Sequence, residues 1–175
     1  GDKTIGVVAQ KNESTEDPGL EDIFQIGTVA RILKILKMPD GNTMVVLQGK
    51  KRFQIEELVQ EKPYLKAKVK EVVEAIPGPI DTEFNAIIDS IKDISLRIIK
   101  ENPNLPSEAS FAIKNIQSNS FLINFVSSNL NLTTEEKQEL LNINSLKSRA
   151  LATLKKMNKE LQRLELSNDI QSKVR

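Results

Sequence analysis

The sequence predicts an α+β chain in which a small β-barrel-like lobe is followed by an α-helical bundle that ends in a long helix. Three observations predict it. Up to about residue 75, apolar residues come in short β-branched runs or alternate with charged ones; beyond 80 they recur every three or four positions. Between the two, Ala75-Ile76-Pro77-Gly78-Pro79-Ile80 sets two prolines around a glycine, which neither a central strand nor a helix continues through. Leu, Ile, Val and Phe supply 55 of the 175 residues, far above the range of disordered chains, so each half has material for a core. The division predicted is a β-rich lobe over 1–76 and a helical bundle over 80–175.

In the first half, Thr4-Ile5-Gly6-Val7-Val8-Ala9 is a short β-branched run that fits a strand. A polar loop over 11–19 follows, and then an apolar run from Gly27 to Lys37. Pro39-Asp40-Gly41 predicts a tight turn, because Pro presets φ and Gly accepts positive φ. Thr43 to Gln48 reads as the returning strand, interrupted at Gly49 and resumed from Arg52 to Val59. From Tyr64 to Val73, Leu65, Ala67 and Val69 alternate with Lys66, Lys68 and Lys70, the pattern of a half-solvated antiparallel strand. Strands at this spacing without intervening helices suggest a barrel-like sheet.

In the second half, Phe84, Ile87, Ile88, Ile91, Ile94 and Ile98 share one helical face, with Asp81 or Thr82 as N-cap. Asn102 to Pro106 stops this helix, and Ser107 can cap a second one carrying Ala109, Ala112, Ile113 and Ile116. A third holds Phe121, Leu122, Phe125 and Val126. Thr133 followed by Glu136 is a capping box for a fourth, ending near Leu141. The last helix has a seam at Leu146, Ala150, Leu154, Met157, Leu161 and Leu164, close to heptad spacing, and is expected to leave the bundle beyond Leu164. Residues 145–175 hold eight basic and three acidic side chains, against five and nine over 80–144, so helix and bundle are complementary in charge. A solvated helix face accounts for this better than a nucleic-acid surface.

The absences narrow the chemistry. Without His there is no imidazole base or ligand, and without Cys no thiol catalysis, zinc–thiolate site or disulfide. Gly49-Lys50-Lys51 lacks the preceding glycine and the hydroxyl of a phosphate-binding loop, and no Ser sits in a glycine-flanked nucleophile turn. Glu56-Glu57 would face opposite sides of a strand, which makes a poor acid–base pair. These residues therefore predict no catalytic, cofactor-binding or metal-binding group. No apolar run approaches the roughly 18 residues of a membrane-spanning helix, which predicts no membrane partner. The balance of 25 basic against 24 acidic side chains argues against nucleic acid as a partner, and Lys50-Lys51-Arg52 reads as a solvated strand start.

Several segments together resemble a known family. Ile5-Gly6-Val7-Val8-Ala9-Gln10, then Ile26-Gly27-Thr28-Val29-Ala30-Arg31-Ile32, then Lys37-Met38-Pro39-Asp40-Gly41-Asn42 follow the order and spacing of the N-terminal domain of ATP-dependent Lon protease. Leu47-Gln48-Gly49-Lys50-Lys51-Arg52-Phe53-Gln54-Ile55 is similar to the family's strand ending in Gly, two residues, Arg, and Leu161-Gln162-Arg163-Leu164-Glu165-Leu166 resembles its long helix. The similarity spans essentially all 175 residues.

The resemblance implies a pseudouridine-synthase-like barrel lobe, with the family's opening strand and helix before Thr4 missing, and a fragment of a longer bacterial, cytoplasmic Ser-Lys protease rather than a mitochondrial one. It implies a non-catalytic domain that recognises unfolded or damaged proteins and supports assembly of a homo-hexamer, with ATP and Mg used only by the intact family's ATPase module. Phe24, Met38 and Met44, apolar residues near predicted loops and the hairpin tip, are the candidate substrate contacts, since Met adapts to varied partners; ordinary core is the competing reading for all three. Two rival functions stand beside this one: a free-standing RNA-binding barrel, and a structural module that dimerises through the 145–166 seam.

Overall fold

The structure, a computed structural model, describes residues 3–174; Gly1, Asp2 and Arg175 of the predicted ranges lie outside the described residues. The chain divides between Val73 and Glu74 into two compact units.

The first unit is a four-stranded antiparallel sheet in the order β1-β2-β3-β4. Its strands are β1 (Thr4–Val7), β2 (Ile26–Lys37), β3 (Thr43–Gln60) and β4 (Lys66–Glu71). β1 pairs with β2 from Thr4↔Arg31 to Val7↔Thr28. β2 and β3 form a long hairpin from Ile26↔Gln54 to Lys37↔Thr43. Its turn is the predicted one: the Met38 N–H donates to the Asn42 carbonyl at 2.8 Å, and Gly41 takes a φ of +91°. Among the described residues, β1 and β4 each have one strand neighbour.

Gly49 does not interrupt the returning strand, as the sequence alone suggested. β3 runs unbroken for 18 residues, and the irregularity is a bulge: Ala30 pairs with Gly49 and Val29 with Lys51, leaving Lys50 between them. A continuous partner strand carries the ladder across the glycine. The last strand is also shorter than the alternation from 64 to 73 suggested. Ile23, Phe53 and Ile55 form the buried centre, with Val8, Leu20, Val29 and Ala67 packed against it.

The second unit is five helices: α1 (Thr82–Glu101), α2 (Glu108–Asn115), α3 (Asn119–Asn129), α4 (Thr134–Asn142) and α5 (Leu146–Val174). Their starts follow local capping chemistry. Asp81 Oδ1 accepts the Phe84 N–H at 2.9 Å, Ser118 Oγ accepts the Phe121 N–H at 3.1 Å, and Thr133 with Glu136 closes a capping box. Ser107 occupies the cap position of α2 without a side-chain hydrogen bond. The core gathers Ile91, Leu122, Ile123, Ala150 and Met157, all fully buried.

Residues 74–76 belong with the helices, which moves the division ahead of the Pro77-Gly78-Pro79 break. The Ala75 N–H donates to the Asn144 carbonyl at 3.0 Å, and the Leu146 N–H donates to the Ala75 carbonyl at 2.9 Å. Glu74 forms an ion pair with the buried Arg149 of α5. Contact along α5 also continues past Leu164: Asn168 Nδ2 donates to the backbone carbonyl and a carboxylate oxygen of Glu101, at 2.9 and 2.8 Å. The projecting part of α5 is therefore shorter than its apolar spacing implied.

Candidate functional site

Register decides what the long hairpin offers. β1 covers β2 only over Thr28–Arg31, and β4 covers β3 only from Phe53 onward. Beyond those limits the Ile32 N–H still donates to the carbonyl of Lys3, next to β1, at 2.7 Å, and otherwise residues 32–37 and 43–48 pair only with each other among the described residues. Apart from that bond the register leaves the edges of this ribbon unpaired, and side chains on both its faces are exposed, a setting in which the usual antiparallel pattern would put polar residues on both faces. Here it does not. Leu33 is 53% exposed, Ile35 59% and Met44 49%, and Val45, Val46 and Leu47 are exposed as well.

Cross-strand pairs point to the same face. Ile32↔Leu47 and Ile35↔Val45 lie on one side; Lys34↔Val46 and Leu36↔Met44 lie on the other. A second irregularity, between Ile32 and Lys34, inserts Leu33 as an extra apolar residue. One face thus presents two apolar pairs and the other the Leu36↔Met44 pair beside Lys34↔Val46, bounded by Arg31↔Gln48 at the base and Lys37↔Thr43 at the tip. Exposed apolar side chains on a two-stranded ribbon, which is marginal by itself in water, make this stretch the candidate contact surface.

The structure brings Met38 and Met44 together at the tip of this hairpin, Met38 being 37% exposed. Neither is core. Phe24 is half-buried and precedes the other end of β2, where its N–H donates to the Ala9 carbonyl at 3.0 Å. Twelve residues of strand separate it from Met38, about 40 Å at the usual rise, so the three candidates do not form one site. Leu33, Ile35, Val45, Val46 and Leu47 were missed because an unbroken apolar run reads as a buried strand.

Of the α5 seam, Leu146, Ala150, Met157, Leu161 and Leu164 are buried and Leu154 is partly buried against the core. Arg149 and Thr153, also buried, interleave with them. Arg149 Nη1 donates to the Ile143 carbonyl at 3.0 Å, and Thr153 Oγ1 lies 3.2 Å from Ser127 Oγ. These polar groups fasten helices together. Past Leu164, Leu166, Ile170 and Val174 stand exposed at four-residue spacing.

The shifted ionisable groups belong to helix ends and ion pairs. The Asp81 carboxyl is held below its ordinary range by the Phe84 N–H and then by Lys147, whose Nζ is 3.1 Å away. The Glu136 carboxyl is lowered by the Thr133 N–H and then by Lys156 at 3.3 Å. Among the described residues no three Asp or Glu side chains cluster to hold a metal ion, and no helix is long and apolar enough to cross a membrane.

Comparison with known proteins places these features. Residues 1–159 match the family model described as the ATP-dependent protease La (LON) substrate-binding domain. The whole chain is 66% identical to a Lon protease of Flavobacterium johnsoniae, and 99% of it is 45% identical to one from Cytophaga hutchinsonii. It spans 21% of the length of each. The fold is similar to the N-terminal domain of Mycobacterium avium complex Lon protease, with a TM-score of 0.68 at 21% identity over 90% of both chains.

Proposed function

The chain belongs to the Lon substrate-binding domain family, and from that premise we propose that it is the non-catalytic part of an ATP-dependent protease that receives unfolded or damaged polypeptides on the β2–β3 ribbon. One observation carries the reading: an apolar surface on both faces of a strand pair that no other strand covers. An unfolded segment buries its own apolar side chains there at about 25 cal/mol per Å², without requiring a fixed sequence. Association costs of several kcal/mol leave a modest affinity, and repeated copies in an assembly would raise it through effective concentration. The ribbon from 31 to 48 carries no aromatic side chain on which bases could stack, which favours peptide over RNA.

The finer parts of this reading go with it. The sheet is the open side of a pseudouridine-synthase-like barrel, in which a further strand pairs on the outer edge of β1. The exposed Leu166, Ile170 and Val174 stripe serves contact between subunits of a homo-hexamer in the bacterial cytoplasm. ATP, Mg and the Ser-Lys protease centre belong to other parts of such a protein.

The test is titration of a labelled, permanently unfolded protein into the 175-residue chain. Met44→Asp and Val45→Asp should each weaken binding by about tenfold, a loss of about 1.4 kcal/mol, with the melting curve unchanged because both side chains are exposed. Ile80→Asp, at another exposed apolar position, should bind as wild type does. Equal binding by all four proteins would remove the ribbon from the site.

A further inference from the structure

The ribbon is as cationic as it is apolar. Between positions 31 and 52 stand Arg31, Lys34, Lys37, Lys50, Lys51 and Arg52, against the single acidic Asp40. Nothing in the near-neutral whole-chain charge announces this. Lys51 lies 3.6 Å from Glu71, whereas Arg31, Lys34, Lys37 and Lys50 are exposed and make no ion pair among the described residues.

Their positions are ordered by the register. The apolar pairs Ile32↔Leu47, Ile35↔Val45 and Leu36↔Met44 occupy the middle of the ribbon. Lys37 stands at the tip end of that band; Arg31 and the bulged Lys50 stand at its base, with Lys34 on one face between. From the Arg31 pair to the Lys37 pair is about 20 Å of strand, the length of about six extended residues.

We propose that this ribbon selects short apolar segments bracketed by acidic residues, its band taking the apolar side chains while the cations at its two ends meet the flanking carboxylates. The inference rests on the reading of the ribbon as the substrate site and adds a charge preference to it. Lysines on an exposed edge have another use, which is to repel stray strands. That use requires only that cations be present, and predicts no discrimination between acidic and uncharged flanks. Complementary charge predicts a specific one: exposed pairs each add a few tenths of a kcal/mol to one, so three or four together give about tenfold.

The experiment uses the 175-residue chain and three fluorescent peptides that share one six-residue apolar core, flanked at both ends by Asp, by Gln or by Lys. Anisotropy should show the Asp-flanked peptide binding about tenfold more tightly than the Lys-flanked one, with the Gln-flanked one between. The advantage should shrink severalfold between 50 and 500 mM salt as the exposed charges are screened. The exposed-site variant Lys34→Glu/Lys37→Glu/Lys50→Glu should reverse the order, so that the Lys-flanked peptide wins; its circular dichroism checks that the fold is kept, and Lys34→Gln/Lys37→Gln/Lys50→Gln, which should level the three, stands in if it is not. Equal binding of all three peptides by the wild type would overturn the charge preference while leaving the ribbon as an apolar site. No binding of any peptide would overturn both. Tighter capture of anionic phosphatidylglycerol vesicles or of single-stranded DNA than of the Asp-flanked peptide would assign the cations to a different partner and overturn the proposal.

Discussion

Gly27 is the position where one added methyl group should do the most damage to the sheet. A Cβ built there would lie 2.2 Å from the Val7 carbonyl oxygen, 2.4 Å from Val8 Cγ1 and 3.0 Å from Phe53 Cζ. The first of these is backbone, so a rotamer change cannot relieve it; β1 itself must move off β2, against the pairing from Thr4 to Val7. Forcing atoms into a packed interior costs about 1–3 kcal/mol, and a clash with backbone belongs at the upper end. A unit of this size has about 4–11 kcal/mol of stability in all, on the order of 0.05–0.15 per residue. Gly27→Ala should therefore remove a quarter or more of it. With a urea slope of about 1–1.5 kcal/mol per M for a small unit, the midpoint should fall by about 2 M. The other glycines grade the effect. At Gly6 a Cβ meets the buried Phe53 ring at 3.1 Å and at Gly49 the Thr28 methyl at 3.2 Å, side-chain rather than backbone atoms at longer distances, so Ala should cost less at each than at Gly27, about 1 kcal/mol. At Gly78 it meets nothing within 4 Å, and Ala should change stability by no more than about 0.5 kcal/mol. Tyr64 is the sole tyrosine in a chain without tryptophan, so its fluorescence reports unfolding of the sheet unit apart from the helices. A Gly27→Ala midpoint within about 0.3 M of wild type, or a larger loss from Gly6→Ala than from Gly27→Ala, would refute the reasoning.

Two further outcomes are expected in the helical unit. Because folding lowers the Asp81 and Glu136 carboxyl pKa values, their stabilisation is present above the ordinary carboxylate range and is lost as pH falls through the folded values; Asp81→Asn and Glu136→Gln should flatten the decline in melting temperature between about pH 5 and pH 2, and an unchanged acid limb in both would count against the assignment. Arg149→Met should cost about 2–4 kcal/mol by removing the buried guanidinium that pairs with Glu74 and donates to the Ile143 carbonyl, whereas Leu166→Ser, at a 61% exposed position on the same helix, should stay within about 0.5 kcal/mol; similar losses by urea unfolding would contradict the burial pattern.

The features legible in the sequence were those whose causes are local. A cap needs only its own first turn, so Asp81 and Thr133 sit where their residue types place them. Ser107, by contrast, reaches the cap position without a side-chain hydrogen bond, and Ser118, which no reading of the sequence singled out, caps α3. The Pro39-Asp40-Gly41 turn likewise follows from two backbone preferences. What needed a partner strand or helix was not legible. Whether Gly49 ends a strand depends on whether β2 continues opposite it, and it does. Whether Arg149 and Thr153 can enter the α5 seam depends on Glu74, the Ile143 carbonyl and Ser127 reaching them from elsewhere in the chain.

The candidate site shows the same division more sharply. Met38 and Met44 could be chosen from sequence because they flank a turn, and turns are exposed. Ile35, Val45, Val46 and Leu47 could not, because the pattern that identifies a buried strand is carried by the strand, whereas its burial is supplied by its neighbours. β1 is four residues long and β4 six, against twelve for β2 and eighteen for β3. The short strands leave both edges of the long hairpin's end unpaired, and nothing among the described residues packs closely on its faces either, so an apolar run that reads as core stands as surface. In the function proposed above, an extended substrate segment supplies the burial, and the cations set at both ends of the band bias which segments can do so.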